Sequence, residues 1–201
     1  MIVPVWMVFA SSTHTSSFIN THGLQFFLGD SFQENYLRVL LYKGGFFKEI
    51  TALKMFFNSF VMATGVALLS VVTSLMAAYA LVYYRTKYAT FLFWLIFVTI
   101  LVPLELRIFP TYSVMAKLNL VNSYFGLIVP ISASAIATLF FRQFYKTVPD
   151  ELLESAKLDG ANTWRFFIDF LLPLSRTMIV AMFIFMFVFG YNQYLWPLLV
   201  T

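Results

Sequence analysis

The sequence has 201 residues, of which 61% are hydrophobic, 20% aromatic and only 11% charged, and its mean hydropathy is +0.82. This composition excludes an ordinary soluble globular domain and predicts an all-α, polytopic transmembrane helical bundle. The formal net charge of +4 comes from basic residues scattered along the chain, so we expect no nucleic-acid partner.

Residues that usually carry metal, redox or catalytic chemistry are scarce. The chain has no cysteine, which excludes disulfides, thiolate metal sites and cysteine nucleophiles. Its two histidines, His14 and His22, lie in one polar stretch without nearby carboxylates, a pattern typical of loop surface. The sequence also contains no phosphate-cradling glycine loop and no nucleophile-base set. We therefore expect no metal, no cofactor and no catalytic residue.

The apolar stretch at the start of the chain is too short to cross a bilayer. Residues 1–10 would cover about 15 Å as a helix, half of a ~30 Å hydrocarbon core. No basic region precedes them, as it would in a signal peptide, so we interpret them as the end of a first transmembrane helix that begins outside this chain. Residues 11–57 are polar and aromatic, and we expect an external loop with one or two short helices.

Two antiparallel crossings follow. Residues 58–84 are uncharged and long enough to span the membrane, and a basic turn at Arg85 and Lys87 separates them from a second crossing at residues 88–107. Small residues spaced by four predict faces on which neighbouring helices approach closely. These pairs are Ala63 and Ala67, Ser70 and Ser74, and Thr73 and Ala77.

The second crossing ends with two charged residues between prolines. Glu105 and Arg107 lie between Pro103 and Pro110, and ionisable residues at membrane depth require a partner or a function. Residues two apart point to different faces of a regular helix, so a direct ion pair requires helix geometry broken by the prolines. Two interpretations of Arg107 stay open: a contact for an anionic solute, or a charged group in water at the headgroup boundary.

The remaining apolar stretches predict two further crossings. Residues 111–123 are typical of a short interfacial helix, and residues 121–145 form a third crossing that Pro130 is expected to kink. Residues 177–201 form a fourth, in which Asn192 and Gln193 either line a solute path or join helices by hydrogen bonds. No polar tail follows, so we expect a further segment beyond this chain.

Residues 149–174, the polar segment, are the longest strongly polar stretch between two apolar ones. Pro149 and Asp150 are expected to begin a helix that Gly160 ends by adopting a positive φ. Asn162 or Thr163 then caps a second short helix over residues 164–170, which Pro173 ends.

The polar segment contains a spaced motif, carried in order by Glu154, Ser155, Ala156, Gly160, Leu172 and Pro173. It resembles the EAA motif of the membrane subunits of bacterial ABC importers. Ser155 stands where that motif usually has alanine, and Phe170 where it usually has isoleucine. The resemblance implies that residues 146–176 form a cytoplasmic coupling loop in a cleft of the ATP-hydrolysing subunit, where Glu154 meets an arginine. The implied docking residues are Glu154, Ser155, Ala156, Asp159, Gly160 and Ala161.

The rest of the chain is similar to the MalG-like branch of carbohydrate importers, on Asn58-Ser59 and on residues 142–144 and 192–197. Residues 103–111 and 140–144 most resemble the sn-glycerol-3-phosphate permeases of that branch. The resemblance implies a multi-pass subunit in the bacterial inner membrane, with part of its first helix and all of its last outside this chain. The implied partners are a second permease subunit, two copies of an ATP-binding subunit, an external solute-binding protein and membrane lipid.

The resemblance also implies transport by alternating access, with ATP hydrolysis in the partner and no enzyme activity in this chain. Within the transporter interpretation, the substrate alternative is a neutral sugar of the maltose type. Two further interpretations are an intramembrane enzyme, for which Glu105 and Arg107 make a poor catalytic pair, and a non-transporting membrane scaffold.

Overall fold

The computed structural model describes residues 2–41, 51–84 and 87–201. Over these ranges the secondary structure is helical and contains no strand, which confirms the all-α expectation. The chain forms two compact units, Met1–Ser59 and Phe60–Thr201. The basic residues Lys43, Lys48 and Arg85 lie outside the described residues, and so does the glycine pair at 44–45.

The first unit begins with three helices, α1 (Ile2–Ser12), α2 (Ser16–His22) and α3 (Phe32–Leu41). The last two are the short helices expected within residues 11–57. Side chains tie the intervening turns together: the Gly29 N–H donates to Thr13 Oγ1 at 2.6 Å, and Asn35 Nδ2 donates to the His14 carbonyl at 2.8 Å. The rings of His14 and His22 both stack on Phe18.

The longest helix, α4, runs from Ala52, in the first unit, into the second unit. The others, all in the second unit, are α5 (Ala89–Val98), α6 (Leu104–Lys117), α7 (Tyr124–Ile128), α8 (Ala135–Thr147), α9 (Asp150–Leu158), α10 (Thr163–Arg165), α11 (Leu172–Leu174), α12 (Arg176–Tyr191) and α13 (Leu195–Val200). Turns of 3₁₀ helix, Thr99–Leu101 and Val129–Ile131, extend α5 and α7. A π-helical stretch, Phe166–Leu171, joins α10 to α11.

Among the described helices, α4 (Ala52–Tyr83, 32 residues) is by itself long and apolar enough to cross a membrane. By length and composition the number rises to four if each of three bent helix pairs is one span. Four crossings were predicted, but the third of these pairs joins residues 163–174 of the polar segment to α12 and differs from the crossing predicted at residues 177–201. Helix α4 begins before residue 58, because residues 52–57 continue the same helix.

The second crossing differs from its expectation at the two prolines. A bend of 105° separates the helical stretch Ala89–Leu101 from α6, and Pro103 is the residue that precedes α6. A proline restricts the residue before it to extended conformations, and Val102 is extended, so the helix breaks there. Pro110 lies inside α6, which therefore replaces the separate interfacial helix expected at residues 111–123.

The third crossing bends as expected. The helical stretch Tyr124–Ile131 meets α8 at 50°, and Pro130 lies in the 3₁₀ turn just before the bend. Ser134 then caps α8, because its hydroxyl accepts a hydrogen bond from the Ala137 N–H at 3.1 Å.

The fourth crossing is not continuous, contrary to expectation. Helix α12 ends at Tyr191, and α13 packs against α7 after a short non-helical stretch. The Trp196 indole N–H donates to the Leu127 carbonyl at 3.1 Å, and the Asn122 N–H donates to the Val200 carbonyl at 2.7 Å. Burial of Trp196, which is 1% exposed, favours this break over a continuous helix.

Close packing of α12 on α4 depends on small residues. Ala63, Ala67, Ser70 and Ser74 are all buried, which agrees with two of the three predicted small-residue pairs. The third pair differs, because Thr73 is exposed and its hydroxyl donates to the Leu69 carbonyl of its own helix. Gly190 of α12 faces this stripe: a Cβ added there would lie 3.2 Å from the Ala63 Cα.

We expect Gly190→Val to separate α4 from α12, because the added side chain has no space against the Ala63 backbone. Overpacking of this kind costs about 1–3 kcal/mol. The thermal unfolding midpoint of the protein in detergent should fall by about 2–4 °C per kcal/mol. Ala181→Val adds the same side chain at an exposed position of α12 and should leave the midpoint unchanged. Equal midpoints for both variants would contradict the close approach.

Candidate functional site

The first half of the polar segment is a helix that ends in a glycine cap. Helix α9 begins after Pro149, with Asp150 and Glu151 in its first turn, where carboxylates interact favourably with the helix dipole. Gly160 has φ +77°, and its N–H donates to the Lys157 carbonyl at 3.0 Å. The Ala161 N–H donates to the Ala156 carbonyl at 2.9 Å. These two bonds form a Schellman motif, so the predicted positive φ of Gly160 is confirmed.

The second half is capped by Asn162, one of the two predicted candidates. Its Oδ1 accepts a hydrogen bond from the Arg165 N–H at 2.8 Å. The helix then continues to Leu174 and does not end at Pro173. Proline has no N–H to donate to the carbonyl four residues earlier, and the wider π-helical turns lie directly before it.

Most of the predicted docking residues lie on the surface of the polar segment. Glu154, Ser155, Asp159 and Gly160 are exposed, and Ala161 is half-buried. Ala156 differs, because it is 0% exposed and packs in the core cluster that contains Phe166 and Leu171. The structure therefore gives Ala156 a packing role beneath the surface, where a larger side chain would separate the two halves of the segment.

Two large apolar residues near the Gly160 corner were not predicted as site residues. Leu158 is 89% exposed and Trp164 is 58% exposed, one on each side of the corner. The sequence signal for Leu158 was its position two residues after the motif alanine, which places it on the other face of α9 from the buried Ala156. Glu154 lies four residues before Leu158, on the same face of α9, so this face combines an exposed carboxylate with exposed apolar area.

Charges on the polar segment are weakly paired. Across residues 2–41, 51–84 and 87–201, the ion pair observed is Arg165 Nε with Asp169 Oδ2 at 3.2 Å, between side chains that are 67% and 50% exposed. Such an exposed i,i+4 pair contributes about 0.5 kcal/mol or less. Glu154 has no ion-pair partner among these residues, so its carboxylate remains available to a cation outside this chain.

Aromatic side chains hold the polar segment against α4 and join α4 to α8. The Tyr79 hydroxyl donates to the Thr163 carbonyl at 2.6 Å, and the Tyr83 hydroxyl donates to the Tyr145 carbonyl at 3.4 Å. The Phe167 ring lies 4.8 Å from the Tyr79 ring, and the Phe166 ring 5.4 Å from that of Tyr83. The C-terminal end of α4 and the polar segment therefore lie at the same end of the second unit.

A cleft of about 280 Å³ opens among α6, α8, α12 and α13. Arg107 lines it, together with Pro103, Ser134, Phe185 and Trp196. The helix breaks of the second and third crossings both border this space, which agrees with the rule that irregular backbone at membrane depth lines a cavity or is buried in protein. The Arg107 guanidinium group forms no hydrogen bond or ion pair with any residue that the structure describes.

The other predicted pathway residues do not line this cleft. Glu105 is exposed in the first turn of α6 and makes no ion pair with Arg107, because α6 is regular there and directs the two side chains to different faces. Asn192 is exposed, and the Gln193 side chain, just after α12, donates to the Phe189 carbonyl of that helix at 3.3 Å. The structure thus keeps Arg107 at the cleft and places Glu105, Asn192 and Gln193 away from it.

Comparison with known protein families shows which family the chain belongs to. The family described as "Binding-protein-dependent transport system inner membrane component" matches residues 70–201. The chain belongs to this family. Its members are membrane permease subunits of ABC transporters, and the matched range includes the polar segment and all of the cleft residues.

Two relatives carry the name "sn-glycerol-3-phosphate transport system permease protein UgpE". One, from Yersinia enterocolitica, is 53% identical over 147 residues, which are 73% of this chain and 52% of that protein. The other, from Agrobacterium fabrum, is 42% identical over 200 residues, which are 98% of this chain and 70% of that protein. The chain spans about half the length of the Yersinia relative.

A solved structure shares the fold. The "Crystal structure of a bacterial ABC transporter involved in the import of the acidic polysaccharide alginate" matches with a TM-score of 0.77 at 22% identity. The match covers 99% of this chain and 68% of the solved chain. It confirms the predicted helical fold of the ABC importer permease type.

We expect Asn162→Ala to loosen the second half of the polar segment, because the Arg165 N–H loses its cap. Loss of such a cap costs about 0.5–2 kcal/mol. Hydrogen exchange of the peptide containing residues 163–166 should therefore become faster, while Asn162→Asp, which keeps an acceptor oxygen, should exchange like the original chain. Unchanged exchange in Asn162→Ala would show that the cap contributes nothing.

Proposed function

We propose that this chain is the membrane-spanning permease subunit of an ATP-driven ABC importer for sn-glycerol-3-phosphate in the bacterial inner membrane. The observation that carries the proposal is the polar segment, an exposed and capped helical corner whose base is bonded to the membrane-crossing helix α4. Family membership and the names of the relatives support it. In this assembly the chain changes no covalent bond, and ATP is hydrolysed by a partner.

The proposed complex has a second permease subunit, two copies of an ATP-binding subunit and an external solute-binding protein, surrounded by membrane lipid. The polar segment docks on the ATP-binding subunit. Leu158 and Trp164 suit the centre of such an interface, because exposed aromatic and large apolar side chains provide most of the binding energy when a partner buries them. Glu154 lies on the same face of α9 as Leu158 and pairs with an arginine of that subunit.

Transport follows from the connection between the two sites. ATP binding closes the ATP-binding subunits, the docked polar segment moves with them, and the two permease subunits alternate between outward-open and inward-open states. The solute sits in the cleft during this change. Because the polar segment and the cleft lie in one packed unit, movement at one site changes the shape of the other.

The cleft suits a phosphate ester. Arg107 can bind two phosphate oxygens at once through its planar guanidinium group, and no other described residue occupies those donors. Residues 134–136, the N-terminal end of α8, line the same space, and this end of a helix carries a partial positive charge. Glycerol-3-phosphate is small enough for a volume of about 280 Å³.

A neutral sugar of the maltose type is the second candidate substrate. The aromatic residues Phe185, Phe189 and Trp196 line the cleft, and aromatic faces pack well against sugar rings. This alternative makes no use of the Arg107 charge, so the two candidates are distinguished by the response to a substitution of that residue.

We expect Gly160→Val to reduce solute-stimulated ATP hydrolysis of the assembled complex by at least about tenfold. A β-branched residue is a steric outlier at φ +77°, and the left-handed conformation costs an ordinary residue about 1–2 kcal/mol, so the corner and the docking surface must rearrange. Gly160→Asn is the matched control, because asparagine tolerates this conformation, and it should retain activity within about twofold. Equal stimulation in both variants, with the complex intact, would contradict docking through this corner.

We expect Arg107→Gln to raise the KM for glycerol-3-phosphate uptake into proteoliposomes by at least about tenfold, because a charged hydrogen bond contributes about 1.5–3 kcal/mol. Arg107→Lys should show a smaller effect, since it keeps the charge and loses the bidentate geometry. Lys117→Gln removes a cation from the far end of the same helix and should change nothing. Faster uptake of maltose than of glycerol-3-phosphate by the original complex would discard the proposed substrate.

A further inference from the structure

Three buried hydroxyl groups of α4 bind backbone carbonyls of two different parts of the second unit. The Tyr79 hydroxyl donates to the Thr163 carbonyl of the polar segment at 2.6 Å. Five and nine residues earlier on α4, Ser74 donates to the Ser134 carbonyl at 3.2 Å and Ser70 donates to the Ser132 carbonyl at 2.7 Å. Tyr79, Ser74 and Ser70, called the α4 contacts, are 5%, 1% and 0% exposed.

The acceptors of the two serines lie where the third crossing breaks. Ser132 follows the 3₁₀ turn and Ser134 is the cap of α8. The Ser132 carbonyl lies outside both helices, and Ser70 supplies its hydrogen bond at a depth where water is excluded. The Ser134 carbonyl also accepts the Thr138 N–H, so Ser74 holds the first turn of α8 in place.

The break held by these serines is a wall of the cleft. Ala133 and Ser134 line the cleft directly. Along α4, Tyr79 lies nine residues after Ser70, a distance of about 14 Å at ~1.5 Å per residue. One rigid stretch of helix therefore holds the polar segment at one end and the cleft wall at the other.

The chain itself joins the second half of the polar segment to α12, which also lines the cleft through Phe185 and Phe189, but not to the cleft wall at the start of α8. The first half continues covalently from α8, whereas the second half follows the Gly160 corner and continues into α12. Thr163 lies in that second half, and its hydrogen bond to Tyr79 joins it to the helix that also holds the start of α8. With the bond in place, a displacement of the corner moves α4 and the cleft wall together.

We propose that the α4 contacts are positioning residues that transmit movement of the docked polar segment to the wall of the solute cleft. This inference rests on the proposed function. The three hydroxyl groups touch no solute, and they act by making α4 a common element of both sites. A merely structural role, in which each hydroxyl satisfies a buried carbonyl, would lower stability without changing how much solute is moved for each ATP hydrolysed.

The experiment measures the number of solute molecules transported for each ATP hydrolysed by the complete complex in proteoliposomes. Tyr79→Phe removes one hydroxyl and keeps the ring that packs on Phe167. Ser70→Ala combined with Ser74→Ala removes the two hydrogen bonds between α4 and the cleft wall. Thr73→Ala is the matched control, because the Thr73 hydroxyl donates to carbonyls of α4 itself.

We expect Tyr79→Phe and the double serine variant each to lower the transport ratio by about two- to tenfold, the equivalent of one or two hydrogen bonds, while ATP hydrolysis continues. The contacts act in series, so losing either end breaks the same connection. The transport ratio of the triple variant should therefore be no lower than that of whichever of these two variants has the lower ratio. Thr73→Ala should match the original complex.

Three results would overturn the inference. The first is an unchanged transport ratio in Tyr79→Phe. The second is a triple variant in which the losses of transport ratio add fully. The third is a transport ratio that falls only in proportion to the loss of thermal stability. Absence of solute-dependent ATP hydrolysis in the original complex is a different result, because it overturns the proposed function itself. If the original complex shows solute-dependent ATP hydrolysis and Tyr79→Phe has the same transport ratio, the result overturns only the inference about the α4 contacts.

Discussion

Backbone groups released by a helix break cannot stay unpaired at membrane depth, and this constraint organises the second unit. The third crossing breaks after Pro130, and the freed Ser132 carbonyl is bound by the buried Ser70 hydroxyl at 2.7 Å. The bond requires a small residue on α4 and close approach of the two helices. The cleft exists because these breaks are held open at a defined place by neighbouring helices, and irregular backbone is stable there only with such partners.

The same face of α4 therefore provides both close packing and hydrogen bonds to its neighbours. Ala63 and Ala67 allow α12 to approach α4 at Gly190, while Ser70 and Ser74 continue the same stripe toward the polar segment. Small polar residues perform two tasks on one helix face: they admit a neighbouring backbone and they donate to it. The aromatic cluster around Tyr79 then closes the stripe at the end where the polar segment is seated.

Local signals in the polar segment were sufficient to predict its two helix caps. The positive φ of Gly160 and the cap at Asn162 depend on a few neighbouring residues, so spacing and residue type identify them. The exposed Leu158 and Trp164 were missed because an apolar side chain in a hydrophobic chain gives no sign of its direction. Ala156 was assigned to the docking surface by its motif position, whereas burial decides that it packs the segment.

The sequence by itself determined the membrane class, the all-α fold, the kink near Pro130 and the helix caps at Gly160 and Asn162, because hydropathy, proline and glycine act over short distances. It did not determine where the second and fourth crossings break, since Pro110 is accommodated within α6 and the break before α13 depends on the burial of Trp196. Only the tertiary structure decided that Arg107 lines the cleft while Glu105, Asn192 and Gln193 do not. The physical reason is that a side chain's surroundings are set by helices distant in the sequence, which single-helix periodicity does not contain.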